Sequence, residues 1–488
     1  MCLFQLFAVG LLCSFSDCCL TRSESFDVRD HFIQDNAGRT RVFRGFNAVQ
    51  KGAPWFPSHL LNDSQLDFYQ AWGFNAVRLG VMWSGLEPIE GHINASYIKV
   101  MQNIVSKLGE RGMFVILDMH QDVLSSAFQT YDGIPLWLLE KLPPSPHQFP
   151  WPLAPFPQSS WALGYLTQAT GRAFQGIYNN EAGTLDCFVK FWEIVVTHFR
   201  SFENVLGYEL INEPWAGDIF TDPSLLLPAE AGRRNLQPFY DILSRAIRAL
   251  DNEKLIFYEP VTWGVFLNGQ YSGTGFTSVP GGSKQQSKSV LSYHYYCWLL
   301  NSPATNSGGL TRDFCDQVLG RAVFRTVQEE VKNLGGGIFL TEFGLCEPDG
   351  DPASEGTREC EFVLQQADDN LQSWTYWDSK FFNSNGDPRL EVVRPFSRPY
   401  PVAVAGKPMS MSFVIDTGRF NFTFLCDPTI NAATEIFIPK LHYPHGITVN
   451  VTPPRVAWKF DPARSFLKVE PCARDVIMAT LIVSPRAR

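Results

Sequence analysis

Residues 206–214 read Leu-Gly-Tyr-Glu-Leu-Ile-Asn-Glu-Pro, and residues 337–344 read Gly-Ile-Phe-Leu-Thr-Glu-Phe-Gly. Each is a short apolar run followed by Pro or Gly, which predicts a buried β-strand with a carboxylate, Glu213 or Glu342, at its C-terminal end. In a barrel of parallel strands, those ends form the functional face. Hydrolysis of a glycosidic bond requires two carboxylates, so the pair indicates catalysis. The alternative is two ordinary strand-end charges that face solvent.

Strand-like runs alternate with longer helical patterns eight times. This alternation predicts an α/β fold, a (β/α)8 TIM barrel, which we assign to residues 24–393 as the catalytic domain. Glu213 and Glu342 then belong to the fourth and seventh strands. The eight runs are residues 42–48, 75–80, 113–120, 205–212, 255–259, 290–296, 337–342 and 374–377.

The pattern changes near residues 394–401, which are rich in proline and arginine. Beyond them, short alternating runs are broken by Pro, Gly and Asn, which predicts an antiparallel β-sandwich over residues 400–488. A proline-rich linker is semi-rigid, so we expect the two domains to pack together. We expect the sandwich to brace the barrel, with membrane or glycan binding as alternatives.

Composition limits the classes of partner. The chain has 488 residues with 45% hydrophobic and 18% charged residues, enough for two globular domains. Its net charge of −9 argues against nucleic acid, because phosphate binding needs a basic surface. The 14% aromatic content suits sugar stacking or lipid binding, and equally a large Phe-rich core.

The N-terminus predicts secretion. Residues 1–20 carry an apolar block that resembles a signal peptide. The destination would be outside the cell, in a lysosome or in a digestive lumen. Four glycosylation sequons begin at Asn62, Asn94, Asn421 and Asn450. Seven cysteines lie beyond the leader, so at least one is left without a partner in the chain.

An aromatic insertion follows the third strand. Residues 134–166 are too long for an ordinary barrel loop and too apolar for solvent. An exposed apolar loop at an active face would bind something lipidic or flat. Alternatively, the segment folds back onto the barrel as a local core.

Asn212 and the two glutamates form a chemically consistent set. The Asn212 amide would hydrogen-bond a sugar 2-hydroxyl, a contact that strengthens in the transition state. Glu213 would donate a proton to the leaving oxygen, and Glu342 would attack the anomeric carbon. Carboxyl groups about 5–5.5 Å apart would imply retention of configuration, and about 6.5–9.5 Å would imply inversion.

Other strand ends carry supporting side chains. Arg78 would keep Glu342 ionised by charge pairing, and a structural ion pair is compatible with that role. His294 and Tyr296 are two residues apart and therefore point to one side of a strand. Tyr296 would hydrogen-bond the nucleophile and His294 a substrate hydroxyl.

The third and eighth strands end in candidate sugar contacts. Asp118, His120 and Asp122 alternate and would bind hydroxyl groups, with a metal site as the rival interpretation. Trp374 and Trp377 close the eighth strand, where one indole would support a pyranose ring. Core packing is the alternative for either tryptophan.

Together these residues resemble glycoside hydrolase family 5, and the chain is similar to its secreted endoglycoceramidases over nearly the whole mature length. The closer resemblance rests on residues 49–52, 117–122, 398–401 and 439–446. It implies that Lys51, Asp118, Asn212 and Tyr296 contact sugar or catalytic groups and that Trp374 supports the first sugar. No metal or other cofactor is expected.

The resulting hypothesis is a secreted, monomeric, retaining β-glycosidase that cuts between the glycan and the ceramide of glycosphingolipids. The substrate would be presented in micelles or membranes, with help from a detergent-like or activator protein. One rival is an endoglucanase or β-glucosidase of the same barrel family that acts on soluble glycans or simple glucosides. Another is a catalytically silent glycolipid- or carbohydrate-binding protein, which the presence of both glutamates disfavours.

Overall fold

The structure is a computed structural model that describes residues 25–129, 132–156, 158–262, 273–297 and 314–486. The predicted signal peptide lies outside these residues. The described strands are β1 (Phe26–Arg29), β2 (Phe32–Asp35), β3 (Thr40–Arg41), β4 (Arg44–Ala48), β5 (Ala76–Gly80), β6 (Phe114–Asp118), β7 (Val205–Glu209), β8 (Leu255–Tyr258), β9 (Ser289–Tyr296), β10 (Gly337–Gly344), β11 (Ser373–Tyr376), β12 (Tyr400–Val404), β13 (Gly406–Val414), β14 (Arg419–Cys426), β15 (Thr434–Phe437), β16 (Ile447–Thr452), β17 (Trp458–Asp461), β18 (Phe466–Val469) and β19 (Ile477–Pro485).

Helices connect the barrel strands. Among the helices of the described ranges, none combines the length and the apolar composition that a bilayer crossing needs. The α-helices are α1 (Asp63–Ala71), α2 (Trp83–Leu86), α3 (Ala95–Gly109), α4 (Leu136–Leu139), α5 (Gln168–Tyr178), α6 (Thr184–Phe199), α7 (Pro228–Ala231), α8 (Gln237–Leu250), α9 (Arg321–Leu334), α10 (Glu355–Asp369) and α11 (Leu390–Phe396).

Strands β4 to β11 close a parallel barrel, which confirms the predicted TIM-barrel fold. Each strand overlaps one of the predicted runs. Strands β4 to β8 are buried along their whole length, as expected for parallel strands with packed side chains inside and helices outside. The fourth and seventh barrel strands, β7 and β10, carry the two predicted catalytic glutamates at the same end of the barrel.

The other end of the barrel is apolar. The starts of the strands contribute a cluster that includes Phe43, Ile116 and Phe257. Phe26 and Ile33 of the hairpin β1–β2 belong to the same cluster and cover it. Because apolar side chains fill this end, the buried charges of the interior lie towards the C-terminal ends of the strands.

The C-terminal strands form an antiparallel sandwich, as predicted. One sheet has the order β13-β14-β19-β16 and the other β1-β2-β3-β12-β15-β18-β17. A shared apolar core, with Phe422 and Leu481 from one sheet and Leu467 from the other, holds them together. Residues 26–41, which the sequence assigned to the catalytic domain, therefore pair with the C-terminal sheet. The pairing runs through the two-residue strand β3 and β12, too short a segment to give an alternating pattern.

The aromatic insertion packs on the barrel and still exposes apolar surface. Ile134, Leu138 and Tyr165 are buried in the main core of the barrel. Leu136 and Trp151, in contrast, are 49% and 40% exposed. Part of the insertion therefore folds back onto the barrel, as one interpretation predicted, and the lipid-binding role of the exposed part stays a prediction.

Three disulfide bonds join neighbouring segments. They are Cys297–Cys315, Cys346–Cys360 and Cys426–Cys472. The first two begin just after β9 and β10 and tie down loops at the C-terminal end of the barrel. Cys187 in α6 is the unpaired thiol of the described residues, in line with the odd cysteine count.

A buried ion cluster joins the barrel to the sandwich. Asp368 of α10 contacts Arg44 of β4 through one carboxylate oxygen and lies 3.2 Å from Arg398 Nη2 through the other. All three side chains are at most 1% exposed. The Arg44 guanidinium also lies 4.5 Å from the ring centroid of Tyr400, at the start of the sandwich. Asp368 thus compensates two buried cations at the junction.

We expect Asp368→Asn to lower the free energy of unfolding by about 3–5 kcal/mol, because it leaves buried guanidinium groups without their anion. Urea unfolding followed by fluorescence measures the change. The matched control is Asp369→Asn, the exposed neighbour in the same helix, for which a change within about 0.5 kcal/mol is expected. Equal stability of the two variants would contradict a structural role for this cluster.

Candidate active site

Glu213 and Glu342 meet at the C-terminal end of the barrel. Glu213 lies just beyond β7, and Glu342 lies within β10. One carboxylate oxygen of each and one ring nitrogen of His294 all lie within 4.8 Å of one another. The Glu213 side chain is 19% exposed and that of Glu342 is 5% exposed. The two carboxyl groups are close enough to act on one bond.

Both carboxylate oxygens of Glu342 accept hydrogen bonds. Arg78 Nη1 donates to Oε1 at 2.6 Å, and the Tyr296 hydroxyl donates to Oε2 at 2.5 Å. Burial alone would raise the pKa of Glu342, but His294, Arg78, His120 and the Tyr296 hydroxyl outweigh it and lower that pKa. Glu342 is therefore ionised at neutral pH, the state that a nucleophile needs.

Arg78 binds more than Glu342. Its Nη2 donates to the Asn212 Oδ1 at 2.9 Å and lies 3.1 Å from Asp118 Oδ1, and its Nε donates to Glu209. The Asn212 Nδ2 in turn donates to the Gln121 carbonyl at 2.8 Å. These contacts fix the amide beside Glu213 and leave one of its two N–H bonds for a ligand.

Glu213 is fixed through its backbone as well as its side chain. Its φ of +42° lies in the left-handed region, which costs energy for a residue with a side chain. The Gln121 Nε2 donates to its carbonyl at 2.9 Å, and its N–H donates to Glu259 Oε1 at 3.3 Å. The Glu213 Oε1 accepts a hydrogen bond from His294 Nδ1 at 2.9 Å.

His294 lies among three glutamates. Its Nε2 is 3.4 Å from Glu259 Oε1, and its Nδ1 is 3.6 Å from Glu342 Oε2. Burial would lower the pKa of His294, but Glu259, Glu342 and Glu213 outweigh it and raise that pKa to about 10. The ring is therefore an imidazolium whose Nδ1 donates to Glu213 and whose Nε2 lies at ion-pair distance from Glu259. The sequence had predicted a contact with a substrate hydroxyl instead.

The sequence analysis did not select Glu209 and Glu259. Burial raises the pKa of both carboxyls, more strongly for Glu259. Glu259 closes the predicted run 255–259, so its position at a strand end was the available signal. Glu209 gave no such signal, because it stands inside the run that was quoted for Glu213.

A second polar group extends from β6. His120 Nδ1 lies 2.7 Å from Asp118 Oδ2, and its Nε2 lies 3.5 Å from Asp122. Lys51 Nζ lies 2.6 Å from Asp122 and 4.4 Å from the ring centroid of Trp377. The rings of His120 and Trp377 stack with their centroids 5.5 Å apart. The predicted sugar contacts are therefore together, with Asp118 behind His120.

Trp374 is not part of this group, and its prediction as a sugar platform is wrong. The side chain is fully buried and packs edge-to-face on Phe343, between the barrel and its outer layer. The half-buried Trp377, one residue beyond β11, lies at the site instead. Residues 374 and 377 are an odd number apart, and successive strand residues alternate between faces.

Among the residues that the structure describes, two groups of three side chains are close enough to hold a metal ion, Glu209-Glu259-His294 and Glu213-His294-Glu342. Both groups contain His294, whose two nitrogens already face Glu213 at 2.9 Å and Glu259 at 3.4 Å. The guanidinium of Arg78 in contact with Glu209 and Glu342 also opposes a second cation. We therefore derive no step through a metal.

Comparison with known families assigns the chain. The cellulase model, glycosyl hydrolase family 5, matches residues 35–383, and the model of the family 5 C-terminal domain matches residues 398–477. The chain belongs to glycoside hydrolase family 5. It is a glycoside hydrolase, and the two matches correspond to the barrel and to most of the sandwich.

Within family 5, the chain is similar to endoglycoceramidases. The endoglycoceramidase of Cyanea nozakii is 35% identical over 466 residues, covering 88% of this chain and 87% of the relative. Endo-glycoceramidase II from Rhodococcus sp. in complex with ganglioside GM3 superposes with a TM-score of 0.75 at 27% identity, covering 93% of this chain and 99% of that one. Its lactosyl-enzyme intermediate superposes with a TM-score of 0.74 at 26% identity, covering 94% and 100%.

The contacts of His294 in this family 5 enzyme predict a pH-dependent stability. Its folded pKa of about 10 exceeds the unfolded value of about 6.5. The imidazolium contacts therefore stabilise the fold fully below about pH 6.5, and this contribution is lost as the pH rises towards about 10. We expect His294→Gln to lower the Tm most near pH 6 and least near pH 9.5.

Calorimetry at both pH values measures the effect. The control is His198→Gln, an exposed histidine in α6, for which the same small change is expected at both. A deficit of His294→Gln that does not shrink with rising pH would contradict an imidazolium in the folded state.

Proposed function

We propose that this family 5 enzyme is a retaining endoglycoceramidase that hydrolyses the bond between the oligosaccharide and the ceramide of glycosphingolipids. Similarity to endoglycoceramidases over most of the chain carries the substrate class. One carboxylate oxygen of Glu213 and one of Glu342 lie within 4.8 Å of each other, a proximity that supports the retaining separation of about 5–5.5 Å between carboxyl groups. The lactosyl-enzyme intermediate of the Rhodococcus enzyme supports the same mechanism.

In the first step, the ionised Glu342 attacks the anomeric carbon while Glu213 gives its proton to the leaving oxygen. The ceramide then departs as a neutral alcohol, and the glycan remains bound to Glu342 as an ester. In the second step, the Glu213 carboxylate takes a proton from water. The water oxygen attacks the anomeric carbon, and Glu342 is released as a carboxylate.

The neighbouring side chains have separate tasks in this mechanism. Arg78 and Tyr296 keep Glu342 ionised and oriented. The remaining N–H of Asn212 would donate to the sugar 2-hydroxyl, where a hydrogen bond strengthens in the transition state.

Further sugar contacts are expected from the second polar group. His120 and Lys51 would donate to hydroxyl groups, and the indole of Trp377 would support the ring. Asp118 is fully buried and would orient His120.

Apolar side chains near the site support a lipid leaving group. Leu136 and Trp151 are exposed on the aromatic insertion after β6. Leu345, 52% exposed, directly follows β10, the strand that carries Glu342. Exposed apolar side chains around a barrel mouth suit acyl chains better than a soluble glucan.

Passage through the secretory pathway is part of the proposal. Three disulfide bonds favour an oxidising compartment. The sequon residues Asn62 and Asn450 are exposed and accessible to glycosylation.

A release assay with matched substrates tests the substrate class. We expect ceramide release from lactosylceramide or ganglioside GM3 in detergent micelles, and much slower cleavage of a soluble cello-oligosaccharide. The physical reason is that the lipid adds apolar contacts that a glucan lacks. Faster cleavage of the cello-oligosaccharide would instead identify an endoglucanase, and release of single glucose from simple glucosides a β-glucosidase.

Substitution of the two glutamates tests their roles. Glu342→Gln should abolish turnover, and Glu213→Gln should reduce it by about 100- to 10,000-fold, the range of general acid–base catalysis. The control is Glu347→Gln, which changes a half-exposed glutamate in the segment just after β10 and should retain activity. Circular dichroism checks folding. Near-normal turnover by folded Glu342→Gln would overturn the assignment.

A further inference from the structure

We infer that Glu259 is a positioning residue for Glu213, and that it acts through a single carboxylate oxygen on both the backbone and the side chain of the acid/base. This inference rests on the proposed role of Glu213. It assigns a function to a carboxyl group that the two-step mechanism above does not use.

Glu259 is rigidly placed beside the acid/base. It follows β8 directly and is 3% exposed. The hydroxyl of Tyr240 in α8 donates to its backbone carbonyl at 2.9 Å. Its Oε1 then lies 3.3 Å from the Glu213 nitrogen and 3.4 Å from His294 Nε2. The Glu259 Oε1 atom therefore contacts the backbone N–H of Glu213 and also His294, the residue that donates to the Glu213 side chain.

The first contact stabilises a strained backbone. Glu213 has a φ of +42°, a conformation that non-glycine residues adopt only when their surroundings enforce it. Its N–H donates to Glu259 Oε1. Loss of this oxygen leaves the Glu213 N–H without its acceptor, which favours a relaxed backbone and a displaced carboxyl group.

The second contact orients the side chain through His294. The partner of one imidazole nitrogen determines the direction and proton of the other. While Nε2 lies 3.4 Å from Glu259 Oε1 in an ion pair, Nδ1 donates to Glu213 Oε1 at 2.9 Å. Without Glu259, the ring can rotate about its two side-chain bonds, and the carboxyl group of Glu213 loses its fixed donor.

A purely structural role is the alternative. Glu259 Oε1 also lies 3.6 Å from Arg78 Nη2, so Glu259 is part of the anionic surroundings of that guanidinium. This separation is longer than those to Glu213 and His294. Structural damage would impair the nucleophile and the acid/base alike, and would therefore slow all substrates equally. A positioning role predicts a loss that depends on the leaving group.

The experiment compares leaving groups in the full chain. A dinitrophenyl β-glycoside with a good leaving group needs little protonation, whereas the alkoxide of ceramide needs a proton. We expect Glu259→Leu to lose at least about tenfold more kcat/KM on lactosylceramide than on the aryl glycoside, as a displaced acid would, because kcat/KM reports cleavage of the leaving group and not the later hydrolysis that both substrates share. Glu259→Gln keeps an acceptor oxygen for the Glu213 N–H, so it should recover part of the difference.

Two further variants make the result decisive. Glu330→Gln alters another buried glutamate, which accepts a hydrogen bond from Thr274 away from the site, and should show no leaving-group dependence. Glu213→Gln should show the largest dependence. Tm values establish that each variant is folded.

Equal losses of Glu259→Leu on both substrates, or none, would overturn the positioning role while Glu213→Gln keeps its leaving-group dependence. A folded Glu213→Gln without that dependence would overturn the acid/base assignment itself, and with it the positioning role. The pH profile gives an independent readout, since a displaced Glu213 changes the alkaline limb of kcat for lactosylceramide.

Discussion

The fully buried guanidinium of Arg78 is the constraint on which the rest of the site depends. A buried charge is tolerated only when its partners are arranged around it, because removal from water costs several kcal/mol. Its partners come from separate strands, Asp118 from β6, Glu209 from β7 and Glu342 from β10. These strands must therefore align with β5 for the cation to be satisfied. The contacts of Arg78 that hold these strands in register are therefore also the contacts that assemble the active site.

Around this cation, the carboxyl groups of one cluster have pKa values shifted in opposite directions. Glu342 has a lowered pKa because two cations and a hydroxyl face its two oxygens. Burial dominates for Glu209 and Glu259, and their pKa values rise. Separation of pKa values by environment is how identical side chains acquire different roles in one site. The charges and hydroxyl groups around each buried carboxyl group, rather than residue type, give the glutamates different pKa values.

The sequence predicted what local pattern encodes. Apolar runs with polar ends located all eight barrel strands and both glutamates, because strands and helices differ in the spacing of their apolar residues. Trp374 was misassigned because two tryptophans three residues apart both fit the end of the strand, and the resemblance favoured the one that faces the core. Glu259 was missed because a single strand-end carboxylate has no distinguishing pattern. The pairing of β3 with β12 depends on a contact between distant segments, which periodicity does not encode.

That pairing has a consequence for the order of events during synthesis. Arg41 donates to the Val402 carbonyl across 361 residues of sequence, and the hairpin before it covers the apolar end of the barrel. The ribosome releases the chain from its N-terminus, so this hairpin emerges long before its partner strand exists. The edge of β3 therefore stays unpaired until β12, Tyr400–Val404, has been synthesised. A truncation at the C-terminus that removes β12 would therefore leave β3 without its partner strand.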